Sequence, residues 1–216
     1  MLRGVSAIAI ERYRQGEARD LDQRQLTQLA NAAWAAGLHL LLEGEPEESR
    51  EWLRTAAARY RESWEAGAPP DSWGRPIAAM KALLLAGDDA SEAARWALAA
   101  GARDAASPIG RYAACLALLV LGEDVEARAL GSTLRNVAPE FPMAVADAVV
   151  TVAAADRAGY LLAIEDILES FEQRGDFLED VRVADTVLVF QILAAQRDCD
   201  VELRPSPLLP RRAQPS

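Results

Sequence analysis

Three segments of the chain repeat one pattern: LLLEGEPEES (40–49), LLLAGDDASEAA (83–94) and LLVLGEDVEARA (118–129) each run an apolar helix end into a glycine followed by acidic or proline positions. A glycine reaches the left-handed backbone conformation that ends a helix without steric cost, and acids placed after it suit the positive N-terminal end of the next helix. Gly44, Gly87 and Gly122 lie 43 and 35 positions apart. The repeating unit is therefore helix, tight turn, helix, at roughly the 34–45-residue period of tetratricopeptide-like solenoids. A chain built this way is confined to stacked antiparallel helix pairs.

The first unit is the most regular. Leu26, Leu29, Ala30, Ala33, Trp34, Gly37, Leu40 and Leu41 fall at three- and four-residue steps and predict a helix over about 22–43. Asp20 with Gln23 three residues later reads as its capping box. Pro46 suits a first helical turn, and Leu53, Ala57, Tyr60 and Trp64 form the stripe of a second helix ending near Gly67. Gly37 and Ala56 stand where the tetratricopeptide motif wants small residues, Leu40 and Leu53 where it wants large ones. The break at Pro69, Pro70, Asp71 and Ser72 follows. A degenerate fourth copy ends at Ala155, where Asp156 caps a helix carrying Tyr160, Ile164, Ile167 and Phe171. Asp176 and Glu179 read as another capping box, opening a last, very apolar helix to about residue 196.

Composition agrees. Hydrophobic residues make up 51% of the 216, enough for a sizeable core, while aromatics are only 6% and β-branched clusters are scarce, which favours helix over sheet. The expectation is an all-α chain of about ten helices over residues 1–200, a short tetratricopeptide-like solenoid or right-handed superhelical bundle. Residues 201–216, with four prolines and Arg211 and Arg212, should form an extended or disordered tail.

The formal net charge of −10 repels nucleic acid and anionic lipid and steers basic partners toward the surface, although acidity also serves solubility. Ala113–Leu121 is the longest apolar run, far short of the roughly 18 residues that span a bilayer. Val5–Ile10 is too short for a secretory apolar region and runs into Glu11, Arg12 and Arg14. These features predict a cytoplasmic protein, and Cys115 and Cys199, lacking any metal-ligand or disulfide spacing, read as reduced thiols.

Few residues of the chain are arranged for chemistry. His39, the single histidine, lies in an apolar helix, so His-based metal clusters are unavailable and His39 reads as a packing or surface residue. The glycines sit singly at helix ends and form no phosphate-cradling loop. No nucleophile elbow is present. No cofactor or metal is expected. Asp147 and Asp185 occupy apolar stripes, Met143–Asp147–Val150–Ala154 and Val181–Asp185–Leu188–Ile192, where an unpaired charge is costly. Either each is neutralised by an arginine at a helix start, Arg182, Arg111 or Arg75, or both face a groove and meet a partner. A paired-acid hydrolase is the third reading. Trp73 follows the proline-rich break in SWGRP beside Arg75, residue types common at binding hot spots, although Trp73 also suits a structural cap. The candidate partner-binding residues are thus Trp73, Arg75, Arg111, Tyr112, Asp147 and Asp185.

The segments WGRPIAAMKALLLAG, IGRYAACLALLVLGED and LEDVRVADTVLVFQILAAQR, within an acidic, Ala- and Leu-rich helical chain, resemble the immunity protein forty-nine family of bacterial polymorphic toxin systems, over roughly residues 3–196. The resemblance implies a non-catalytic inhibitor that binds a cognate toxin and blocks its active site or substrate access. No binding residue is carried over from it. The alternative is a helical-repeat scaffold or regulatory adaptor that holds a peptide or a partner domain; an enzyme built on Asp147 and Asp185 stands third.

Overall fold

In a computed structural model, residues 4–137 and 140–210 are described. Among them the chain forms ten α-helices and no strand: α1 (Val5–Gly16), α2 (Gln23–Glu43), α3 (Pro46–Glu65), α4 (Gly74–Ala86), α5 (Ser91–Ala99), α6 (Pro108–Leu121), α7 (Asp124–Leu134), α8 (Met143–Ala153), α9 (Arg157–Glu172) and α10 (Asp185–Ala195). None is long and apolar enough to cross a membrane.

The glycine turns adopt the expected geometry. Gly44, Gly87 and Gly122 have φ of 83°, 75° and 74° and end α2, α4 and α6, each chain turning directly into α3, α5 and α7. Ala155 closes the fourth unit at φ 50° without a glycine, and the Asp156 carboxylate then accepts from the Gly159 amide at the start of α9. The antiparallel run of α2 against α3 is written in its cross-links. Ser49 donates to the Gly37 carbonyl (2.7 Å), Tyr60 to Asn31 (2.7 Å) and Ser63 to the Gln23 carbonyl (2.6 Å), so rising numbers on one helix meet falling numbers on the other. Gly37 permits this closeness, because a Cβ there would stand 2.7 Å from Leu53 Cγ.

Two expected helix starts are displaced. The capping box of α2 is Asp22 with Gln25, not Asp20 with Gln23: Asp22 accepts from the Gln25 amide (2.9 Å) while Gln25 accepts from the Asp22 amide (2.9 Å). Asp20 lies outside the helix at φ 60°. Asp176 and Glu179 do not open α10, which begins at Asp185. Glu179 and Asp180 instead form a 3₁₀ turn with φ of 54° and 59°, and Glu179 pairs with Arg12 of α1. A capping-box spelling creates a helix start only where the following backbone has a packed face to join, and 176–184 is used to carry the chain back toward α2.

Helix α10 decides the architecture. It packs on α9 and across α4 and α8, the first helices of the second and fourth pairs, with α6 between them. The inner face of the pairs, the groove where a solenoid of this kind is expected to hold a partner, is thus occupied by the chain's own last helix. This explains two sequences that carry no clear polar face. In α6 every residue from Tyr112 to Leu119 is buried, since the helix is covered from both sides, and in α10 Thr186, Val187, Val189, Phe190, Leu193 and Ala194 are buried.

Residues 201–210 carry no helix and are docked on the helices. Val201 and Leu208 are buried, Gln191 donates to the Val201 carbonyl (2.6 Å), and the Ala184 amide donates to the Leu208 carbonyl (2.9 Å). Arg204 pairs with Glu165 (3.0 Å) and Glu172 (2.6 Å) of α9, and the Arg204 guanidinium, with the Ser206 hydroxyl, holds the Glu172 carboxyl below its ordinary range. Arg211 and Arg212 lie outside the described residues.

Candidate functional site

The candidate residues separate into three places. The first is inside the fold, where α10 meets α4. Asp185, the first residue of α10, accepts from Lys81 Nζ of α4 at 2.9 Å, and Lys81 also donates to Thr186 Oγ1 at 2.8 Å. The two charged side chains keep only 12% and 18% of their exposure. Burial pulls the lysine's pKa down, but Asp185 and the nearby Tyr112 oxygen outweigh it and hold the value above 10.5. The expected arginine neutraliser is therefore corrected: Lys81, 104 positions away, does the work, while Arg182 stacks over Phe177 with 5.8 Å to the ring centre. Lys81 is the chain's only lysine among 23 basic residues, set in the apolar run MKALLLAG. That singularity was the available sequence signal. A compact ammonium on a flexible stem fits a narrow helix contact that a planar guanidinium, with more donors to satisfy, does not.

Tyr112 belongs to the same neighbourhood. It is buried on α6 against Phe141, with ring centres 5.4 Å apart, and its hydroxyl has no hydrogen-bond partner among the described residues. Burial raises its pKa, with Lys81 pulling the other way. Tyr60, whose hydroxyl meets Asn31, is likewise pushed upward by burial.

The second place is the start of α4. Trp73 is buried rather than displayed. It packs on Trp64 (5.9 Å between ring centres), which in turn meets Trp96 edge-on (5.7 Å), and its indole nitrogen abuts Gly110. Arg75 turns back to α3 and α2, donating to Ser63 (2.8 Å) and to the Gln23 side chain (2.5 Å). Arg111 donates to the carbonyls of Ala105 and Ala106 (3.2 and 3.3 Å), tying the loop before α6. Neither arginine meets Asp147 or Asp185. Each is committed to chain-internal acceptors, and Trp73 serves the contact between neighbouring helix pairs.

The third place is the α7–α8 junction, where Asp147 accepts from Arg135 at 2.6 Å, the two side chains staying 35% and 37% exposed. The arginine is none of the three expected: it caps the end of α7 and opens the short 3₁₀ turn Arg135–Val137. Asp147 and Asp185 thus serve separate ion pairs on different helices, each with its own cation.

The remaining polar groups fall in the same structural pattern. His39 has a buried Nδ1 without a partner among the described residues; burial lowers its pKa from 6.5, against the pull of Glu43 one turn on, and Glu43 accepts from Ser6 of α1 (2.9 Å). Cys115 is fully buried and its thiol is pushed up to about 12, which leaves it unreactive at neutral pH. Among the described residues no three His, Cys, Asp or Glu side chains converge on a metal-sized space. Comparison with protein-family models, with curated proteins and with solved structures finds no match for this chain.

Proposed function

We propose that the chain is a non-catalytic protein-binding module that acts in the cytoplasm, and that its partner is a cognate toxin of a bacterial polymorphic toxin system. The observation that carries the binding-module reading is the commitment of the chemistry-bearing side chains. Asp185 is tied to Lys81 and Asp147 to Arg135, so neither carboxylate stands opposite the other as a paired-acid site requires. What remains for function is a rigid helical surface of net charge −10, suited to steering and holding a basic polypeptide. The toxin as partner rests on the family resemblance of the WGRPIAAMKALLLAG, IGRYAACLALLVLGED and LEDVRVADTVLVFQILAAQR segments. The inner face being filled by α10, the module engages its partner through its outer surface.

The test is co-expression in bacteria with toxin domains encoded beside its own gene. The expected result is restored growth with one of them and a stoichiometric complex on gel filtration. Failure of every neighbouring toxin to be neutralised overturns the immunity reading; turnover of a small-molecule substrate by the purified chain, lost in Asp147→Asn or Asp185→Asn, overturns the binding module.

A further inference from the structure

We propose that the outer notch beside α7 is the docking surface for a basic partner helix that inserts an apolar side chain there; this rests on the binding-module reading above. The notch has a volume of about 340 Å³ and is lined by Asp124, Val125, Arg128, Ala129, Ser132 and Ala153. Val125, Arg128, Ala129 and Ser132 sit at i, i+3, i+4 and i+7 of one helix, so the lining is a continuous stripe rather than scattered side chains. Within it Val125 is 89% exposed, the most exposed of the molecule's large apolar side chains among the described residues. A surface valine so bare, beside a concavity whose lining includes Ala129 and Ala153, is the profile of a contact awaiting its other half.

Charge selects the occupant. Val125 stands in the sequence Glu123-Asp124-Val125-Glu126. Glu123 is exposed, and Asp124 and Glu126, though paired with Arg197 and Arg103, keep 36% and 48% of their side-chain exposure. Asp198 follows directly on Arg197, which touches Asp124. A second copy of this chain, nucleic acid or an anionic membrane would each bring more negative charge against this rim and against the net −10, whereas a lysine- or arginine-flanked apolar residue satisfies both rim and notch. Arg128 is the exception in the lining. It makes no ion pair among the described residues and is free to meet the carbonyl end of an incoming helix, where a cation is favoured.

The surface is rigidly supported. Gly131 on α7 lets α8 approach so closely that a Cβ there would stand 2.6 Å from Val149, and Arg197 clamps the start of α7 through Asp124 (2.9 Å) and the Leu119 carbonyl (2.7 Å). A preformed notch loses less on binding than one that must order itself.

The experiment titrates the isotopically labelled full chain with a synthetic amphipathic helical peptide bearing one leucine stripe flanked by lysines. Two control peptides replace the lysines by glutamate or the leucines by alanine. Amide shifts should concentrate at residues 124–132 and around Ala153, and both controls should bind about tenfold more weakly or worse. Val125→Lys, at a bare position that leaves the melting temperature unchanged, should weaken the leucine–lysine peptide by at least about tenfold. Shifts centred elsewhere, equal binding of the glutamate peptide, or an unaffected Val125→Lys variant overturn the proposal. Toxin neutralisation that survives Val125→Lys overturns this surface alone and leaves the binding module standing.

Discussion

Asp147 and Asp185 look alike in sequence, each an acid interrupting an apolar stripe, yet they end in opposite surroundings. Asp147 sits at the α7–α8 junction, more than a third exposed and held by Arg135; Asp185 opens α10 against Lys81 of α4, both largely withdrawn from water. The difference follows from the partners: Asp147 meets an arginine just past the end of α7 where both side chains keep water, whereas Asp185 opens a helix laid across α4 and meets a lysine within that contact. Local pattern reports that a charge is costly. Only the place where the helix comes to rest decides how the cost is met.

That contrast can be broken by mutation. Asp185→Ala strands the Lys81 ammonium in a largely dry contact and should lower unfolding free energy by about 2–4 kcal/mol, slightly below the range for fully buried pairs because some exposure remains. In chemical denaturation the double variant Lys81→Met with Asp185→Leu should recover most of that loss, since apolar side chains fill the same space without stranding a charge. A loss from Asp185→Ala no larger than that from Asp147→Ala would erase the distinction.

The α7–α8 contact beside Asp147 is tightly packed, and Gly131→Ala tests this. Its new Cβ would press on Val149, so despite alanine's better helix propensity the change should destabilise by about 1–3 kcal/mol in thermal unfolding. Stabilisation instead would show that the α7–α8 contact is slack.

Alkaline titration sharpens the comparison further. Lys81 has a folded-state pKa raised above 10.5, so its pairing contributes stability in full below that value and loses it as pH climbs through the folded pKa. Melting temperature followed upward from pH 9 should therefore fall less steeply in the Lys81→Met, Asp185→Leu double variant than in the parent. Tyr112 and Tyr60, raised mainly by burial, act in the same direction, and because both also feel Asp185 the comparison is made in a Tyr60→Phe, Tyr112→Phe background. The smallest effect belongs to Asp147→Ala, about 0.5 kcal/mol or less and shrinking with added salt, as an exposed pair predicts.

How far the sequence could be read follows the range of the interactions. The glycine turns at 44, 87 and 122 and the small residue at Gly37 were legible because left-handed backbone and close helix approach are demands made on single residues by their immediate neighbours. The capping boxes were half legible: the Asp-x-x-Gln spelling occurs at both 20–23 and 22–25, and only the second has its acid in extended backbone at ψ 170°, where the side chain can reach the free amides. The related Asp-x-x-Glu spelling at 176–179 opens no helix, because the chain there is occupied in crossing to α2 and Glu179 is spent on Arg12. Of the candidate site residues, the sequence singled out Trp73, Arg75, Arg111 and Tyr112 as chemically conspicuous, and the structure buries the two aromatics and commits both arginines to acceptors within the chain. Val125, one ordinary valine in an acidic turn, carried no signal of its exposure.

By itself the sequence determined the helical class, the pairwise folding of helices and the turns between them, since propensity, periodicity and left-handed glycines act within a few residues. Tertiary structure alone decided that α10 fills the inner face, that Lys81 answers Asp185 and that residues 201–210 strap α9. Those outcomes depend on which apolar surfaces remain uncovered once the pairs have stacked, and burying such surface is a non-directional force with no signature in local sequence.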